Sequence, residues 1–128
     1  MKSVRRHIWL SAPAEKVWDV VGDAGGVSRW FPSVERSSLE GSIRHVTLVN
    51  GLEVIEEVVT CDNETRRLQY RVVSGLPTTF HLATLDVIEV DDTHSLVISG
   101  VNVEPDEFAP RLASSIEAAF EVLKSIVE

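Results

Sequence analysis

Residues 106–127 of this 128-residue chain are DEFAPRLASSIEAAFEVLKSIV. Apolar side chains recur there every three or four residues, which gathers them on one face of a helix. Asp106 and Glu107 suit the positive end of the helix dipole, and Pro110 is tolerated only in a first turn. The pattern therefore predicts one long helix, whose apolar face needs a partner surface. That face consists of Phe108, Leu112, Ile116, Ala119, Phe120, Leu123 and Val127.

The chain before this helix is predicted to be mostly strand. Turn residues recur at hairpin intervals, among them Gly41, Asn50-Gly51 and Gly75. They separate predicted strands at 34–39, 43–49, 52–60, 66–73, 79–90 and 95–103. A further strand at 4–10 precedes two short helical segments, the second of which is expected at 27–30 and ends before Pro32. We therefore predict an α+β fold with the order strand, two helices, six strands and a long helix.

The bulk composition favours one domain, 1–128, of an ordinary globular protein. The chain is 44% apolar and 25% charged, which is typical of that class. A net charge of −8 argues against nucleic acid or an anionic membrane as a main partner. No apolar run is long enough to predict stable membrane insertion.

The cysteine and histidine content predicts no disulfide, no metal and no cofactor. Cys61 is the single cysteine, so a reducing, cytoplasmic setting is expected. The histidines lack the spacing of metal ligands. They are His7, His45, His81 and His94.

The turn at Asn50-Gly51 sets which side chains share a face of the sheet. A two-residue turn would mix charged and apolar groups on both faces. A three-residue loop with Gly51 in a left-handed conformation separates them better, and we adopt it. It places Arg44 opposite Glu56 on the apolar, helix-facing side. Because buried charges must be paired, we predict an ion pair between them.

The following strands add polar groups to the same interior. Alternation in the next strand turns Tyr70 inward, near Glu56, and alternation in the one after it turns His81 inward. In the last strand we assign the inner face to Leu96, Ile98, Gly100 and Asn102, although three valines compete with that pattern. The interior is then an apolar chamber that holds an Arg–Glu–Tyr network.

Two short motifs carry a resemblance to a known family. SAPAEKVW at 11–18 leads to RWFP at 29–32, and Arg44 and Glu56 follow on either side of the Asn50-Gly51 turn. Further along the chain, the resemblance is carried by Tyr70, Pro77 and the run Ala83-Thr84-Leu85, in that order. Together these features resemble the SRPBCC superfamily, and within it the polyketide cyclase/dehydratase-like branch, related to START lipid-transfer domains and the birch pollen allergen.

The resemblance implies a helix-grip fold. In that fold a curved antiparallel sheet wraps around the carboxy-terminal helix and leaves a deep cavity for a hydrophobic ligand. We therefore predict binding of a small hydrophobic or aromatic molecule, lipid- or polyketide-like, between sheet and helix. The predicted ligand-binding residues are Trp30, Arg44, Val46, Val54, Glu56, Tyr70, His81, Ala83, Ile98, Leu112, Ile116 and Ala119.

Several residues in this set have two interpretations. Arg44 and Glu56 either anchor a ligand oxygen or simply tie two strands together. His81 is either a general acid/base or a hydrogen-bonded wall residue. Tyr70 is either a proton donor or a partner for Glu56. Trp30 either gates the cavity mouth with Phe31 or packs in the core.

Two other classes of function remain open from the sequence. The first is a cyclase or dehydratase (lyase) that uses the same cavity, with Arg44, Tyr70 and His81 as catalytic candidates. The second is a protein-interaction domain, or a homodimer, that uses the outer face of the sheet. Its footprint would be an exposed patch of Val97, Val101 and Val103.

Overall fold

The computed structural model describes residues 1–128 and contains seven strands and two α-helices. The strands are β1 Lys2–Leu10, β2 Val34–Glu40, β3 Ile43–Leu48, β4 Glu53–Asp62, β5 Arg67–Ser74, β6 Phe80–Asp91 and β7 His94–Glu104. The helices are α1 Ala14–Val21 and α2 Ala109–Val127, with short 3₁₀ helices at Ala24–Arg29 and Asp106–Phe108. The predicted order of strands and helices is confirmed.

The strands form one antiparallel sheet in the order β1-β7-β6-β5-β4-β3-β2. Its register shifts within β2–β3, β4–β5 and β6–β7, and such bulges bend and twist a sheet. Helix α2 packs on β1 and β7, and α1 packs on β6 and β7. The curved sheet thus wraps around the long helix, which is the helix-grip arrangement. None of the helices combines the length and apolar character needed to cross a bilayer.

Helix α2 starts slightly later than predicted, because 106–108 form a separate 3₁₀ turn and Pro110 lies in the first turn of the α-helix. Its buried face consists of Ala109, Ala113, Ile116, Ala119, Phe120, Leu123 and Val127. Phe108 and Leu112 are only half-buried. They face a hollow rather than the packed core, whereas the small side chains of Ala109 and Ala113 are buried.

The hairpin between β3 and β4 has the predicted register. Arg44 pairs with Glu56, and Val46 pairs with Val54. Gly51 has a φ of +90°, and its N–H donates to the carbonyl of Leu48. The three-residue loop is therefore confirmed, and both charged residues lie on the inner face.

The predicted inner face of β7 is wrong. Val97, Val101 and Val103 are buried together with Ser95 and Ser99. They pair with inward residues of β6, as Val101 does with Ala83. Their burial also removes the interaction footprint that the sequence suggested. The residues that the sequence predicts to face inward belong instead to the outer face; they are Leu96, Ile98, Gly100 and Asn102. Alternation was hard to see because this central strand carries aliphatic residues outside and two serines inside.

Candidate functional site

A cavity of about 230 Å³ lies beneath the N-terminal half of α2, against β2–β5. Most of its lining is aliphatic or aromatic, and it reaches the surface at the exposed hairpin residues Val49, Asn50 and Leu52. This hollow lies between helix and sheet, the place where the sequence predicts a ligand cavity. It lies under one half of the helix, because the other half packs on β1 and the core.

An ion pair closes the inner end of this cavity. The Arg44 side chain is 1% exposed, and its Nη2 lies 2.8 Å from Glu56 Oε1. Its Nε donates a hydrogen bond to the same oxygen, also at 2.8 Å. Its Nη1 donates to the Ala24 carbonyl at 3.0 Å. This last bond ties the pair to the first 3₁₀ helix, so three elements hold the arginine in place. The second carboxylate oxygen of Glu56 makes no hydrogen bond to the protein.

The surroundings of Glu56 oppose its charge. Burial raises the pKa of the Glu56 carboxyl, and the adjacent Arg44 guanidinium counteracts that rise. The arginine therefore supports the ionised form of a buried acid. Loss of either partner would leave the other as an uncompensated buried charge, which costs several kcal/mol.

Tyr70 completes the polar cluster, but through a different contact from the one predicted. Of the two interpretations of Tyr70, the sequence favours a partner for Glu56 over a proton donor. Instead the Arg44 guanidinium lies over the Tyr70 ring, with Cζ 4.3 Å from the centroid, which is a cation–π arrangement. Burial, followed by the Glu56 carboxylate, raises the pKa of Tyr70 to about 12. The phenol therefore stays protonated, as a neutral hydrogen-bond donor on the cavity wall.

His81 faces inward as predicted but does not line this cavity. Its Nδ1 accepts a hydrogen bond from the Val72 N–H at 3.1 Å, at the point where β5 and β6 diverge beyond the Tyr70–Ala83 pair. Its ring lies 6.0 Å from that of Tyr70. Burial, with Arg44 second, lowers the pKa of His81 to about 4. His81 is thus a neutral histidine, and its side chain accepts the Val72 N–H where no backbone pairing between β5 and β6 is present.

A family comparison covers the whole chain. The family described as "Polyketide cyclase / dehydrase and lipid transport" matches residues 1–128. This chain belongs to that family. Membership supports a domain that binds hydrophobic ligands in general. A search of functionally curated proteins found no match.

Solved structures share the fold of this polyketide cyclase/dehydrase and lipid transport family member. XoxI from Bacillus cereus is 21% identical with a TM-score of 0.93, over 99% of this chain and 96% of that one. A protein from Thermobifida fusca is 30% identical with a TM-score of 0.81, and the match covers 97% of this chain and 91% of that one. Norcoclaurine synthase from Thalictrum flavum is 20% identical with a TM-score of 0.76, and the match covers 98% of this chain and 86% of that one. Its structure was solved in complex with dopamine and hydroxybenzaldehyde.

Half of the predicted binding residues line the cavity of this family member. They are Arg44, Val46, Val54, Glu56, Tyr70 and Leu112. The others lie elsewhere. Trp30 is a core residue that packs edge-on against Phe31, with ring centroids 4.5 Å apart, and only Phe31 reaches the cavity wall. Ala83, Ile116 and Ala119 are buried in the core, His81 lies behind Tyr70, and Ile98 is on the outer face.

The sequence prediction missed the rim of the cavity. Phe108, Leu76 and Leu52 form apolar parts of it, and Arg111 adds a charge. Ser33 and Ser115 also line it and hydrogen-bond to each other at 2.9 Å, which links the segment before β2 to α2. One available signal was the position of Phe108 and Leu112 at the N-terminal end of an otherwise alanine-rich buried stripe. The described chain holds no group of three His, Cys, Asp or Glu residues placed to bind a metal ion.

Proposed function

We propose that this chain binds a compact hydrophobic or aromatic molecule in the cavity, with an oxygen of the ligand at the Arg44–Glu56–Tyr70 cluster. One observation carries the proposal: a buried polar cluster lies at the inner end of a mostly apolar cavity that opens to the surface. Such pockets derive affinity from apolar burial and orientation from a few fixed polar groups.

The size of the cavity limits the ligand. A volume of about 230 Å³ is below the range of roughly 300–1,000 Å³ that is typical of pockets for drug-sized molecules. One or two fused rings fit that space, whereas a lipid with two acyl chains does not. In norcoclaurine synthase, which has the same fold, the solved complex holds dopamine and hydroxybenzaldehyde, and both have a single ring.

The inner end is suited to a ligand hydroxyl. The phenol O–H of Tyr70 donates to no group of the protein, because its Arg44 neighbour can only donate to the phenol oxygen. Glu56 offers a carboxylate oxygen that accepts no hydrogen bond from the protein. A hydroxyl between them can accept from the first and donate to the second. The Arg44 guanidinium is already engaged by Glu56 and Ala24, so it positions the acceptor rather than binding the ligand itself.

A cyclase or dehydratase is the second candidate, and Tyr70 is the residue that favours it. A carbonyl oxygen placed at the same phenol would be polarised by its hydrogen bond. His81 does not serve this alternative, because its imidazole lies outside the cavity lining and Nδ1 is engaged by Val72. Liquid chromatography coupled to mass spectrometry of a polyketone incubated with the protein separates the candidates. Binding alone returns the polyketone unchanged, whereas catalysis returns a product lighter by one water or a cyclised isomer of equal mass that elutes at a different time.

Tyr70→Phe tests the binding proposal, because it removes one hydroxyl and leaves the ring over which Arg44 lies. We expect the affinity for naphthol to fall about two- to tenfold, the usual range for one hydrogen bond. The affinity for naphthalene, which has no hydroxyl, should be unchanged. Calorimetric or fluorescence titration of both probes with both proteins measures the difference.

A cavity-filling variant provides the control for location. Val54→Phe places a larger side chain on the cavity wall and should lower the affinity for both naphthol and naphthalene. The proposal fails if neither probe binds the wild type, or if Val54→Phe leaves both affinities unchanged. Mass spectrometry under native conditions, on protein purified from its own host, would then reveal any retained small molecule.

A further inference from the structure

The charges that line the cavity do not cancel. Arg44, Glu56 and Arg111 are its charged residues, which gives two positive charges against one negative in a chain of net charge −8. Arg44 and Glu56 neutralise each other at the inner end. The uncompensated charge is Arg111, an exposed residue that forms no salt bridge.

The position of Arg111 makes the mouth of the cavity attractive to anions. It lies in the first turn of α2, between the lining residues Phe108 and Leu112. The helix dipole adds positive charge at that end. Two acids lie nearby in sequence, but Asp106 is 3.5 Å from the amino group of Met1, and Glu107 does not line the cavity.

The inner end has the opposite preference. A ligand carboxylate there would meet the Glu56 carboxylate, and no free cation would compensate it, because both Arg44 contacts to Glu56 are 2.8 Å. Like charges at such close range repel each other strongly in a desolvated site. A neutral oxygen is therefore favoured inside, and an anionic group is favoured at the mouth.

We propose that the ligand is a compact amphipathic acid, with a hydroxyl or carbonyl oxygen at Tyr70 and its carboxylate beside Arg111. This inference rests on the proposed binding function and adds the charge class and orientation of the ligand. Arg111 acts as the residue that selects an acid over a neutral molecule of the same shape.

A matched pair of probes tests the charge preference. Hydroxynaphthoic acid, with hydroxyl and carboxyl at opposite ends, carries the anion, and its methyl ester has the same rings without the charge. We expect the wild type to bind the acid about fivefold more tightly than the ester, the upper range for a partly exposed ion pair. Added salt should reduce that preference, because it screens an exposed pair.

Two variants locate the source of the preference. Arg111→Gln should lower the affinity for the acid to that for the ester, and leave the affinity for the ester unchanged. Lys124→Gln changes the net charge equally at the opposite end of the same helix, so it should leave the preference intact. Titration calorimetry with both probes gives all six constants.

The outcomes separate this inference from the function on which it rests. If the wild type binds both probes equally, or if Arg111→Gln leaves the preference for the acid intact, the inference is wrong and the binding function stands. If Lys124→Gln removes the preference as fully as Arg111→Gln, general charge rather than Arg111 is responsible, and the inference is again wrong. If neither probe binds although naphthol does, this inference is wrong and the binding function stands, and if naphthol does not bind either, both proposals fail.

Discussion

His81 shows how one side chain can make the stability of this fold depend on pH. Burial and Arg44 lower its pKa to about 4, from an ordinary value of 6.5. Between those values the unfolded chain binds a proton that the folded chain does not. The unfolding free energy should therefore lose nothing to His81 above pH 6.5, and it should decrease as the pH is lowered from 6.5 towards 4. The loss due to this residue is roughly 3 kcal/mol.

The variant His81→Asn isolates that effect. Its amide oxygen can accept the Val72 N–H in place of Nδ1, and it does not titrate between pH 4 and 7. We expect the unfolding free energy of the wild type to decrease relative to the variant as the pH falls from 6.5 to 4, measured by urea denaturation at several pH values. A difference between the two proteins that stays constant over this range would contradict the assignment.

The polar cluster could be predicted only in part from the sequence. Strand alternation and the Asn50-Gly51 loop placed Arg44, Glu56 and Tyr70 on one face, because a register of period two follows directly from residue order. Which groups touch was not predictable. A hydroxyl–carboxylate bond and a cation–π contact differ by small displacements of one ring, and those depend on packing by residues distant in the sequence.

Two glycine turns connect strands that build the cavity, and they differ in the space around them. Gly51 has a φ of +90° and Gly75 one of +98°, both in a region that other residues rarely adopt. A Cβ at Gly51 would meet open space, whereas one at Gly75 would collide with the carbonyl oxygen of Glu53. Gly75 therefore allows its turn to lie against the start of β4, next to Leu76 on the cavity wall.

This difference gives a matched pair of substitutions. Gly51→Ala should cost about 1–2 kcal/mol of stability through backbone strain alone. Gly75→Ala should cost clearly more, because the backbone of β4 must also move. The midpoints of urea unfolding for the two variants measure this. Equal losses of stability in the two variants would show that the turn at Gly75 can move away from β4 without a measurable energetic penalty, and that its close approach to β4 does not affect stability.

The strands and the long helix were predictable because most have a clear period or a clear turn. β7 is the exception. Its outer face carries Leu96 and Ile98, and its inner face carries Ser95 and Ser99, so polarity does not distinguish the two sides. Central strands that are covered on one face by helices and carry aliphatic residues on the other lose the alternation on which such predictions depend.

The whole molecule determines where the hollow lies, and no local pattern encodes it. Helix α2 packs on β1 and β7, which fills the chamber on that side and places Ile116 and Ala119 in the core. The second half of the helix does not pack on the opposite side of the sheet, β2–β5. The cavity lies there, and Phe31, Leu76 and Phe108 form part of its lining. The sequence prediction extends the cavity lining to Ile116 and Ala119, because helix placement depends on the sum of many contacts and cannot be derived from the helix alone.

Transfer of magnetisation from a bound probe to individual methyl groups would test the binding account most directly. With naphthol bound to methyl-labelled protein, we expect intermolecular nuclear Overhauser effects to Val46, Val54 and Leu112, which line the cavity. We expect none to Val97 in the core or to Ile98 on the outer face. Effects confined to Ile98 and its neighbours, or no effects at saturating naphthol, would contradict a ligand-binding cavity beneath α2.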